Sequence, residues 1–242
     1  EVGMRGDKPG QGAGDGAMQV AARFSTDVPT SLTEPGAKAV RLSLRGALQE
    51  RPANGKTHFG ELLMDLDAIA GDDATELLVL HADGLLLTWA QVDELREAIA
   101  RIRQANKKVV FYSANIGTRS MMVASACDRI AMPPSGMFVA RGVRGRFVGL
   151  KDTLARVGVA TDTVRFGDWK SAPEMWSRKQ LSNELRATIT RLVTARWTRF
   201  VDAVALGRGI TPTGVRTALE RGVVYPGAAQ RAALVLGVPC GE

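Results

Sequence analysis

The chain has 242 residues, 45% of them hydrophobic and 24% charged, with a formal net charge of +7; this is ordinary for a soluble globular protein and enough chain to bury a substantial core. No run approaches the ~18 apolar residues of a membrane-spanning helix, no signal peptide is visible, and a short basic patch at Arg141-Gly142-Val143-Arg144-Gly145-Arg146, without interleaved aromatics, gives no footprint for nucleic acid. Cys127, Cys240, His58 and His81 have no metal-type spacing, which excludes a Cys/His zinc site from this chain alone, implies no cofactor, and leaves one disulfide open.

Residues 1–37 are poor in large apolar side chains and rich in glycine, so they cannot bury enough surface to offset their ordering entropy and read as a linker or tail. The chain opens on Glu1 rather than Met, as expected of a mature form or a fragment. From residue 38 the pattern changes. Ala39 to Leu44 alternates like a half-buried strand, and Phe59, Leu62, Leu63, Leu66 and Ile69 recur at helical spacing. Residues 75–82 read as a buried strand closed by a turn at Asp83-Gly84. A helix follows with Trp89, Val92, Leu95, Ile99 and Ile102 on one stripe, then a strand over Val109 to Tyr112. Gly117 to Ala126 reads as a short helix, with Met121 and Met122 as core filling, and Arg129 to Met132 as a strand.

A helix over 150–157 and a strand over 159–166 lead to Lys170. The longest helix spans about 183–206, with Ser182 as N-cap and Leu185, Ile189, Leu192, Val193, Phe200 and Val204 on its core face. Thr211-Pro212 opens another helix. Alternating strands and helices predict an α/β fold with parallel strands and crossovers, in one domain over 38–242.

Lys170 is the leading candidate for chemistry. It follows an aromatic, stands at the mouth of the expected strand and precedes Pro173. A lysine walled in by apolar neighbours loses solvation of its ammonium and becomes a base near pH 7; the alternative is an ordinary solvated lysine. Ser171 cannot easily partner it, because adjacent side chains on extended backbone point to opposite faces. His81, Asp83 and Ser113 form a formal His/Asp/Ser set, set against a reading as strand-end and turn residues. Gly142 and Gly145 lack the Lys-Ser/Thr that closes a phosphate loop.

In order, these segments resemble the signal peptide peptidase A family of serine–lysine peptidases over roughly residues 38–239. The resemblance rests on Phe166-Gly167-Asp168-Trp169-Lys170-Ser171-Ala172-Pro173-Glu174, on Phe200 through Gly207-Arg208-Gly209-Ile210-Thr211-Pro212, and on Gly222-Val223-Val224-Tyr225-Pro226-Gly227. It implies a crotonase/Clp-protease-like ββα spiral and Lys170 as general base. Counting back from Cys127-Asp128-Arg129-Ile130 puts Thr118 at the nucleophile position, followed by Arg119-Ser120 where the family has Gly-Gly. A branched, hindered threonine without those glycines is a poor nucleophile. The family's oxyanion loop is reduced to His81-Ala82-Asp83-Gly84 before Leu85-Leu86-Leu87.

Lysine kept and serine lost is similar to the N-terminal repeat of the long, two-repeat form of the family, whose other repeat carries the serine. The resemblance then implies a peptidase component acting on signal peptides or other short apolar peptides. It implies assembly with a second repeat or a homologous protomer, as a homo-oligomer, and membrane association through a segment outside this sequence, at the outer or periplasmic face of a bacterial inner membrane. The rivals are a catalytically silent scaffold that assembles with active homologues, and a crotonase-type acyl-CoA enzyme. The latter needs a basic ADP pocket and two converging N–H donors, neither visible in the sequence. The apolar surface around Trp169 and Trp176 is expected to meet the partner.

Overall fold

Alternating burial along the strands builds the main sheet. In β1 (Lys38–Ala47) Leu42 and Leu44 point inward while Arg41 and Arg45 stay exposed. Helix α1 (Phe59–Gly71) buries Phe59, Leu62, Leu66 and Ile69, and β2 (Thr75–Leu86) buries Leu78, Leu80 and Ala82. Helix α2 (Trp89–Gln104) starts at a capping box: the Thr88 hydroxyl accepts from Gln91 N at 3.2 Å while Gln91 Oε1 accepts from Thr88 N at 2.9 Å. It buries Val92, Leu95, Ala98, Ile99 and Ile102, one stripe at helical spacing.

Next come β3 (Lys108–Tyr112), β4 (Asn115–Gly117), α3 (Thr118–Ala124), β5 (Arg129–Met132) and β6 (Met137–Val139). The structure is a computed structural model that describes residues 38–50, 58–139, 142–220 and 222–237; the tail expected over 1–37, and Cys240, lie outside them. Strand, strand, helix repeats here: β3 and β5 pair parallel in the main sheet while β4 and β6 pair parallel in a second, smaller one. After α4 (Lys151–Arg156), α5 (Glu174–Ser177), α6 (Asn183–Arg208) and α7 (Pro212–Leu219), β7 (Val223–Val224) joins the small sheet antiparallel to β6. Helix α8 (Pro226–Arg231) then leads to β8 (Leu236–Gly237) at the edge of the main sheet. The main sheet runs β1-β2-β3-β5-β8, every pair parallel. This is the expected ββα spiral with parallel strands and crossover helices.

Three expectations are corrected. Asp83-Gly84 does not end β2; Gly84 takes φ +65°, the register against β1 shifts between Arg45 and Ala47, and the strand runs on to Leu86. Only glycine adopts that backbone at no steric cost, so the turn signal marks an irregularity inside the strand. Residues 159–166 form no strand: Val159, Val164 and Phe166 are exposed. A strand needs a neighbour for its N–H and C=O groups, and among the described residues this segment has none. In α6, Leu185, Ile189 and Val193 are only half-buried and Leu192 is 50% exposed. Phe200, Val201 and Val204 do enter the core.

The last correction is part of a larger division. Among the described residues, no hydrophobic side chain between Phe138 and Phe200 is buried; the buried ones there are Glu174 and Ser182. Residues 142–196 form an arm that carries its apolar side chains outside the core, and Trp197, stacked on Phe200 at 5.2 Å, begins the attachment. Helix α6 joins the arm to the spiral through its C-terminal turns, where Gly207 lies against α3. A Cβ on Gly207 would stand 1.9 Å from the Ser125 carbonyl oxygen.

That contact predicts that Gly207→Ala destabilises the protein by about 1–3 kcal/mol, because backbone must move to admit the methyl. Gly71→Ala, with nothing within 4 Å of the new Cβ, is expected to be neutral or slightly stabilising. Urea unfolding of both variants checks this. Cys127 lies in the core after α3, and burial pushes its thiol up to about 12 against the opposing pull of Arg208 and Arg103. Its thiol should therefore resist a disulfide reagent at pH 8 in the native protein and react once denatured; rapid native-state labelling, with the site read by mass spectrometry, would contradict the burial.

Candidate functional site

Lys170 lies in the arm, on a loop between the unpaired extended segment and α5. Gly167 turns the chain with φ +85°, and Lys170 N donates to its carbonyl at 3.3 Å. Ser171 N donates to Trp169 O at 3.1 Å, and Glu174 N to Ser171 O at 3.0 Å, so the loop is a succession of tight turns. Apolar neighbours are present as expected: Val164, Phe166, Trp169 and Pro173 line a hollow with Lys170. They do not wall it in. Lys170 is exposed, Phe166 is 88% exposed and Trp169 67%. Within this chain Lys170 is in contact with solvent.

Directly after the loop stands Glu174, buried to 1% exposure at the start of α5. Its Oε1 accepts from the Ser182 hydroxyl at 2.7 Å and its Oε2 from Ser182 N at 3.1 Å; Arg165 Nη1 approaches Oε1 at 3.4 Å. Burial on its own raises this carboxyl, but the two Ser182 bonds and the charges of Arg178 and Arg165 outweigh it and hold the group below the ordinary carboxylate value. Glu174 is therefore an ionised, paired carboxylate at neutral pH. The Ser182 hydroxyl also accepts from Leu185 N at 3.1 Å, which makes it the N-cap of α6 as expected.

Thr118 opens α3 in the spiral body. It lines a cavity of about 480 Å³ with Leu85, Leu86, Leu87, Trp89 and Ile116, whereas Lys170 lines a separate one. The Thr118 hydroxyl is buried with no hydrogen-bond partner among the described residues. Beside it Arg119 crosses to donate to the carbonyl of Leu87, tying α3 to the end of β2. The Arg119 side chain therefore stands on the wall of this cavity where the family has glycine. Met121 and Met122 are fully buried core residues.

His81, Asp83 and Ser113 do come together, but in an order unlike a catalytic triad. Asp83 sits in the middle: His81 Nε2 lies 2.8 Å from its Oδ2, while Ser113 Oγ and Ala114 N donate to its Oδ1 at 3.2 and 2.7 Å. Burial raises Asp83, yet these donors prevail and lower it. With Arg41 on His81 Nδ1 at 2.5 Å, the histidine already has a partner at each nitrogen and none is the serine. The set ties strand ends together, which is the plainer of its two sequence readings.

Sequence reasoning missed the Glu174–Ser182 pair and the Arg119–Leu87 bridge. Both are contacts of side chains with distant backbone or loop partners, and no periodicity or cap rule encodes them.

The sequence profile of the family described as peptidase family S49 matches residues 101–238. The chain is 25% identical over 185 residues to the chloroplastic serine protease SPPA of Arabidopsis thaliana, covering 75% of this chain and 27% of that protein. It is 28% identical over 119 residues to Protease 4 of Haemophilus influenzae, covering 49% of this chain and 19% of that protein. The chain thus spans about a quarter or less of the curated relatives it matches. Among solved structures it resembles a crotonase-type enoyl-CoA hydratase/isomerase of Legionella pneumophila, with a TM-score of 0.46 and 15% identity over 84% of this chain and 67% of that one. The family profile covers more than half of the sequence, and the chain belongs to peptidase family S49.

Proposed function

We propose that this chain supplies the general base, Lys170, of a Ser–Lys dyad whose serine lies in another repeat or in a homologous protomer. The observation that carries this reading is the arm itself. A segment with no buried hydrophobic side chain holds Lys170 out among Phe166, Trp169 and Val164, as a half-site awaiting its second wall would. Membership of a serine peptidase family supplies the reaction class.

The chemistry follows in order. A partner docked on the arm takes water from around Lys170 and disfavours its ammonium, leaving a neutral amine. That amine accepts the proton of the serine hydroxyl as the serine oxygen attacks a peptide carbonyl. The resulting lysine ammonium gives the proton to the departing amine nitrogen, and an acyl ester remains on the serine until water repeats the sequence. The oxyanion donors also come from the other repeat, since Leu85-Leu86-Leu87 here replaces the small residues of the family's oxyanion loop. The substrates are short apolar peptides, released signal peptides among them. The assembly works at the outer face of a bacterial inner membrane, held there by a segment outside the described residues; among the described residues no helix is long and apolar enough to cross a membrane.

A scaffold without catalysis is the second reading. The separation of Thr118 and Lys170 into two cavities, together with Arg119 beside Thr118, favours it. The full-length protein decides between them. Lys170→Ala should lower peptide-ester turnover by about 10²–10⁴-fold with the fold intact. Lys170→Arg should not restore it, because arginine keeps its proton. Thr118→Ala should leave turnover unchanged. Near-normal turnover in Lys170→Arg would make Lys170 a charge and not a base, and no hydrolysis by the wild type would leave the scaffold.

A further inference from the structure

Glu174 poses a question of its own. An ionised carboxylate taken out of water is unfavourable unless fully paired, yet this one is buried in the arm, where the only other buried side chain among the described residues is the serine it binds. Its partners show what it holds. Arg165 precedes the loop that carries Lys170 and Glu174 follows it, so the 3.4 Å ion pair closes the loop at its base. Ser182, bound through both its N–H and its hydroxyl, is the N-cap of α6. Helix α6 in turn reaches the core at Phe200, Val201 and Val204. A line of fixed groups thus runs from the Lys170 loop through Glu174 and Ser182 into a 26-residue helix and on to the spiral body.

We propose that Glu174 is a positioning residue for Lys170: bound to Ser182 and Arg165, it fixes the base of the 166–173 loop and aims the lysine at its serine. The proposal rests on the reading of Lys170 as general base. A lysine reaches its target through a long flexible side chain, so its Cα must be fixed for the amine to lie within hydrogen-bond reach of a hydroxyl on another body. A displacement of about 1 Å at such a group lowers rates by as much as about 10²-fold. Turn bonds within the loop, and Ser177 Oγ donating to Pro173 O at 3.0 Å, set its local shape, while Leu150 N to Met175 O at 2.7 Å and Thr161 Oγ1 to Trp176 O at 3.1 Å hold α5 to α4 and to the extended segment; Glu174 is the group that ties the loop's base to α6.

The test uses the full-length protein and compares Glu174→Gln with Lys170→Ala and Lys170→Arg. Glutamine keeps the size but cannot accept on both atoms from Ser182 and pair with Arg165. The expected result is a fall in kcat of about 10–100-fold, with KM within about twofold and an unchanged melting temperature. The basic-form limb of the pH–rate profile should move to higher pH, since a loosened lysine is more often solvated. In parallel, the pH dependence of acylation of the Lys170 amine, followed by peptide mass spectrometry, should move the same way, a readout that needs no turnover. If Glu174→Gln fails to fold, Arg165→Ala, at a half-exposed residue, is expected to move both readouts in the same direction by a smaller amount.

A Glu174→Gln enzyme with wild-type kcat and pH profile overturns the proposal. So does a loss of activity that only tracks loss of folded protein while the acylation profile stays fixed. The two ideas fail separately. Dead Lys170 variants beside a normal Glu174→Gln remove the positioning role alone, whereas an active Lys170→Arg removes the base and the positioning role with it.

Discussion

Helix α6 meets the protein core only near its C-terminus, and everything the arm does depends on that attachment. Phe200, Val201 and Val204 are packed to nothing less than full burial, and Gly207 lets the helix backbone approach the Ser125 carbonyl too closely for any side chain. Arg208 reinforces the seam by donating to Cys127 O at 2.9 Å. Close-packed interiors do not deform gradually, so this seam fixes the direction in which the remaining turns of α6 leave the body. The Lys170 loop is then placed by a lever whose fulcrum is apolar and whose far end is held by polar bonds.

The two regions obey different rules. In the spiral, alternating strands and striped helices share one hydrophobic cluster, and stability comes from area removed from water. In the arm, a few hydrogen bonds and one buried carboxylate set the geometry while Val164, Phe166, Trp169 and Trp176 stay in solvent. Gathered apolar side chains left in water are an unusual feature of a folded surface, and the arm carries them around Lys170.

The opposite end of the site carries the complementary lesson. Arg119 bonds the carbonyl of Leu87 beside Thr118, and the Thr118 hydroxyl is buried without a partner among the described residues. An activated hydroxyl needs a base within hydrogen-bond reach, and the lysine of this chain lines another cavity. Thr118 in the ββα spiral and Lys170 in the arm therefore line two separate cavities.

The sequence by itself determined the alternation of strands and helices, and the resemblance carried by its motifs implied the spiral. The periodicities at Leu42/Leu44, at Leu78/Leu80 and along Val92 to Ile102, with caps at Ser182 and Thr211, are local signals of burial and helix ends, and the structure reproduces them. Short ordered motifs around Lys170 and Gly207 also carried the family. Tertiary structure alone decided the rest. The apolar pattern over 159–166 has no strand to pair with, and the stripe of α6 has no core to enter before Phe200, because periodicity states which side chains seek cover but not whether the chain supplies it. The Glu174–Ser182 bond, the Arg119 bridge and the central place of Asp83 between His81 and Ser113 join residues that no repeat relates. Their contacts depend on how elements meet in space, and only the folded chain brings them within hydrogen-bond distance.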